Sequence, residues 1–101
     1  VLREALAPEI QDELSHAKYL CDVIVDLGGE PTTAAVGFEK PDDVQDMLDL
    51  NIKTELDDEA HYTMLAGLAG ADGLVELKLK LEGMAADDAA HARQWRRMRK
   101  T

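Results

Sequence analysis

Three long apolar stripes run through this sequence at helical spacing, and each is interrupted near its middle by a carboxylate. The first reads Leu6, Ile10, Glu13, Ala17, Leu20, Ile24 and Leu27, with His16 one turn from Glu13 on its shoulder. The second reads Leu48, Ile52, Glu55, Glu59, Tyr62, Ala66 and Ala69. The third reads Leu74, Leu77, Leu81, Met84, Asp88, His91, Trp95 and Met98. Steps of three and four put each set on one helix face, and steps of two are absent, so the chain reads as all-α. Burying one unpartnered carboxylate costs several kcal/mol, so three at one level of a core would prevent folding. Something positive has to sit among them.

Glycine and proline divide the chain in few places. Gly28-Gly29 followed by Pro31 is a helix stop, and Pro41-Asp42-Asp43 is a start with acids at the positive end of the helix dipole. Gly70-Ala71-Asp72-Gly73 is a tight turn between two long patterns. Helices are therefore expected near 3–28, 42–70 and 72–99, with Pro8 setting either a start at residue 7 or a kink there. The stretch 29–41 has no periodicity. Extended, it reaches roughly 43 Å, about the length of a 28-residue helix. It can run alongside one helix and begin the next one parallel to it, whereas the short turn at 70–73 forces its two helices antiparallel. A single helical-bundle domain with a long crossover, covering 1–101, is the expected architecture.

Charge narrows the partners. With 11 basic residues against 21 acidic ones the chain is repelled by nucleic-acid backbone and attracts cations. Five of the basic residues, Arg93, Arg96, Arg97, Arg99 and Lys100, crowd into the end of the last helix, where they complement its dipole. No apolar run is long enough for a membrane span and no secretion leader opens the chain, so a cytoplasmic location is expected. The one cysteine, Cys21, excludes an internal disulfide and a thiolate zinc site; it is expected to be a small buried hydrophobe in a reducing compartment.

The stripes offer no lysine or arginine to neutralise their acids, and metal ions are the remaining candidates. Glu13-x-x-His16 and Asp88-x-x-His91 each put a carboxylate and an imidazole side by side on one helix face. A single such pair on a helix is ordinarily solvent-facing; two on core stripes near mid-helix are not. With Glu55 they make five ligands of mixed oxygen and nitrogen character, which suits iron or manganese better than an all-thiolate zinc centre or an all-oxygen calcium site. Two carboxylates able to bridge favour a pair of metals. Glu59 reads as a rim acid, His61 as a surface residue, Tyr62 and Trp95 as core, and Met47, Met64, Met84 and Met98 as packing.

These residues carry a resemblance. Glu13-Leu14-Ser15-His16-Ala17, Leu27-Gly28-Gly29-x-Pro31, Asp43-Val44-x-x-Met47-Leu48, Glu55-Leu56-Asp57 and Asp88-x-x-His91, in order and almost without gaps, resemble bacterioferritin and related ferritin-like proteins. The resemblance implies a four-helix bundle with a di-iron centre that oxidises Fe(II) with oxygen or peroxide. It implies metal-binding and catalytic roles for Glu13 and Asp88 as bridging carboxylates, His16 and His91 as terminal imidazoles, and Glu55 as a terminal carboxylate. Three of the family's four helices would be present, the first, which brings the sixth ligand, being absent. Asp88 stands where the family usually has Glu, one methylene longer. Leu14 falls where true bacterioferritins place a haem-ligating methionine, so no haem is expected.

The leading expectation is thus a ferritin-like di-iron ferroxidase, a homo-oligomer that stores iron. A second is a ferritin-like oxidase or manganese protein that builds no shell. A third, from another class, is a non-enzymatic helical interaction module whose polar stripe residues set pairing specificity.

Overall fold

The computed structural model describes residues 2–32, 34, 37 and 41–100, and all regular structure among them is helical. Three helices follow in order: α1 (Leu2–Asp26), α2 (Val44–Ala71) and α3 (Val75–Lys100). The chain divides into two compact units, residues 1–39 and 40–101.

In the first unit, α1 starts ahead of Pro8 and runs through it, so the proline neither begins the helix nor breaks it. The helix stops as expected at the paired glycines. Gly28 takes a positive φ of 87°, its N–H donates to Val25 O at 2.9 Å, and the Gly29 N–H donates to Ile24 O at 2.8 Å. These two bonds satisfy carbonyls that the end of a helix leaves open, and only glycine takes that backbone conformation without a steric cost. The crossover expected over 29–41 lies partly outside the described residues.

In the second unit, Asp43 caps α2. It is extended (φ −130°, ψ 164°), and its Oδ1 accepts the Asp46 N–H at 2.8 Å. The far end of α2 closes with the same device as α1: Gly73 at φ 77° donates to Gly70 O at 3.1 Å, and Leu74 N–H donates to Ala69 O at 2.9 Å. So short a link returns α3 antiparallel along α2. The cross-helix partners follow that order: Glu55 lies against His91, and Asp49 and Gln45, farther from the turn, bond Arg99.

The seam between α2 and α3 is built from the expected stripes. Leu48, Glu55, Ala66 and Ala69 are buried on α2; Leu81, Met84, Asp88, His91 and Trp95 are buried on α3, joined by Ala85 and Ala92. The alanines next to the stripe are buried because small side chains let two helix backbones approach closely. Met64, read from sequence as packing, is exposed, since it points away from this seam.

The first stripe fares differently. Ile10, Ala17, Ile24 and Leu27 are exposed, Leu6 and Leu20 half-buried, and Cys21 is on the surface instead of buried. Apolar character spreads over more than one sector of α1, and Ile10, Ala17 and Cys21 lie in an exposed one. Among the described residues no helix is long and apolar enough to cross a membrane.

Candidate metal centre

The three polar residues of the α2–α3 seam come together halfway along it. His91 Nδ1 lies 3.2 Å from Glu55 Oε2 and 3.6 Å from Asp88 Oδ1. Glu55, Asp88 and His91 each present a ligand atom, and these atoms fall within 4.8 Å of one another. All three are buried, Asp88 completely at 0% exposure. The Asp88–His91 spacing of three residues makes them neighbours on α3, and antiparallel packing brings Glu55 across from α2.

Two buried carboxylates around one imidazole are costly to hold without further positive charge. The described buried residues include neither lysine nor arginine. The donor set is two carboxylates and an imidazole nitrogen, of the hard-to-intermediate character that iron and manganese accept. The residues present therefore fit a metal of that class.

On α1, His16 is buried and Glu13 half-buried, with His16 Nδ1 at 3.9 Å from Glu13 Oε2. The pair sits on one face of α1, as its spacing of three requires. Around the centre, Glu59 and Tyr62 are half-buried on the turns beyond Glu55, while His61 is exposed. Trp95, one turn past His91, is buried completely, and its indole Nε1 has no hydrogen-bond acceptor among the described residues. Its burial follows from the stripe, but a missing acceptor leaves no trace in the sequence.

Resolved pKa displacements lie on the surface. Hydrogen bonding to Asp22, then its charge, raises the Lys18 ammonium above its ordinary range. Bonding from Lys53, then its charge, holds the Asp57 carboxyl below its own. Both are exposed i,i+4 pairs, at 2.9 Å and 2.8 Å, that stitch one helix along its surface. The basic end of α3 does more than complement a dipole, because Arg99 Nε donates to Asp49 Oδ1 at 2.8 Å and its guanidinium also bonds Gln45 Oε1.

The family model for a ferritin-like domain matches residues 1–97. The chain belongs to the ferritin-like family. No curated protein and no solved structure gives a significant match. Membership accounts for the helical architecture, and the acids that interrupt the core stripes are candidate metal ligands.

Proposed function

We propose that this chain is a bacterioferritin-like di-iron protein that oxidises Fe(II) with oxygen or peroxide and stores the product in an oligomer. The observation that carries the proposal is the convergence of Glu55, Asp88 and His91 in a buried seam, within a chain of ferritin-like family.

In this reading Glu13 and His16 complete the ligand set. Glu13 and Asp88 would hold the metals together with His16, His91 and Glu55, the two shared carboxylates balancing the positive charge. Bound iron supplies the electron transfer to the oxidant, and Fe(II) is at once cofactor and substrate. The residues' own task is to hold negative charge in a place shielded from bulk water and to release protons as metal enters. His91 Nδ1 and Glu55 Oε2, 3.2 Å apart, would both turn to the metal when it binds. Asp88, shorter than glutamate and fully buried, has little freedom to swing, so any metal held there would have to fit its position.

The test is an anaerobic Fe(II) titration followed by air, with metal content measured on protein purified from cells. Two irons per chain and an oxidation signal are expected. Manganese in the purified protein, with a dimer and no larger particle in light scattering, would replace ferroxidase and storage with the shell-less reading. No metal at all in a folded helical protein would leave the interaction module.

A further inference from the structure

The basic end of α3 splits into two sets. Arg99 turns toward α2, where Asp49 Oδ1 and Gln45 Oε1 accept its guanidinium. Arg93, Arg96 and Arg97 are exposed on the side of α3 away from Asp88, His91 and Trp95, in a sector of about 100° at 100° per residue. Among the described residues none of the three has an ion-pair or hydrogen-bond partner, in a chain with 21 acidic side chains. Complementing the helix dipole explains cations in a last turn, but a dipole selects no face, and Arg93 lies a turn earlier.

The surroundings limit what can sit there. Along the same face the arginines are preceded by exposed Ala90 and Ala86, which leave the guanidinium groups open to a flat approach. The next acid on that face is Glu82, eleven residues before Arg93 and about 16 Å away along the axis. That distance exceeds the Debye length of about 10 Å at 0.1 M salt, so the three charges act as a local positive site on a chain of formal charge −10. A nucleic-acid strand carries a phosphate at every nucleotide and continues past so short a patch onto acidic surface, where it is repelled. A short acidic peptide does not. Its spacing also fits: Arg93 and Arg97 are about 6 Å apart along the helix, and acids two positions apart on an extended chain lie on one side at about 6.7 Å. The planar fork of arginine grips a carboxylate through paired hydrogen bonds.

We infer that Arg93, Arg96 and Arg97 form a docking surface for an extended acidic segment of a partner protein. A Glu-x-Glu or Asp-x-Asp pair sits on Arg93 and Arg97, and Arg96 closes one side. The surface stands apart from metal binding and from the iron chemistry proposed above.

The probe is a fluorescein-labelled peptide, Gly-Ser-Glu-Ser-Glu-Ser-Glu-Ser-Gly, titrated with the whole chain and read by fluorescence anisotropy. It should bind in about 50 mM sodium chloride and at least about tenfold more weakly in about 300 mM. Its glutamine counterpart should not bind. Arg93→Gln combined with Arg97→Gln should weaken binding at least about tenfold, with helix content unchanged by circular dichroism. Arg3→Gln combined with Lys18→Gln removes the same charge elsewhere and should leave binding unchanged. Equal weakening by the two double variants would reduce the effect to net charge and overturn the inference. So would tighter binding of a labelled oligothymidylate of the same length, which would assign the patch to nucleic acid. Salt-sensitive self-association lost with Arg93 and Arg97 would assign it to the acids of another copy and overturn it too, as would no peptide binding at millimolar protein.

Discussion

Asp88 concentrates the conflict between folding and function at the scale of one residue. It is fully buried, one turn from His91, and faces Glu55 in the same seam, so the metal-free protein holds two acids where a purely structural core would hold none. Asp88→Asn removes a charge while keeping the volume. The expected result is a metal-free variant at least as stable as wild type, by up to about 2 kcal/mol, that has lost its metal-induced stabilisation. Thermal melts of both proteins with and without Fe(II) under anaerobic conditions check it. A variant destabilised without metal would show that Asp88 is there for structure. Glu55, Asp88 and His91 were legible in the sequence because each broke an apolar stripe at helical spacing. Cys21 was misread as buried, since small size and apolar neighbours suit an exposed helix position as well as a core one.

At the scale of the element, the starts and stops are local chemistry and were readable as such. Asp43 follows a proline and precedes the first apolar residues of α2, and it caps the helix as that position requires. Asp43→Ala should cost about 1 kcal/mol, seen as a lower midpoint in urea with an unchanged slope; Asp43→Ser should recover most of it. Both glycine stops were visible for the same reason, that φ near +80° is a glycine conformation. Of the two readings Pro8 offered, the start at residue 7 is not taken, because α1 begins at Leu2 and the remaining turns of a 25-residue helix outweigh the one N–H a proline removes. The clamp from Arg99 to Asp49 and Gln45 could not be read, because it joins residues some fifty positions apart whose meeting depends on how α2 and α3 pack.

At the scale of the whole molecule, a formal charge of −10 on 101 residues sets the conditions for stability. Self-repulsion of this kind is screened by salt, with a Debye length of about 10 Å at 0.1 M. The melting temperature of the metal-free protein should therefore rise with sodium chloride. A metal bound at 100 times its Kd should add about 2.7 kcal/mol beyond salt, or more than about 10 °C for a domain of this size. Melts at fixed ionic strength, with and without metal, separate the two effects; equal shifts from iron and from matched sodium chloride would leave charge screening as the whole effect.

The amino-acid order alone determined three helices, their caps, the antiparallel hairpin and the residues that interrupt the stripes, because each depends on neighbours within a turn or on the reach of a short link. Tertiary structure decided which residues of α2 and α3 are buried against each other and how near Glu55 comes to Asp88 and His91. Periodicity says which side chains share a face. Only packing chooses the face that is covered, because burial is won by the surfaces that fit together, and fit belongs to pairs of elements.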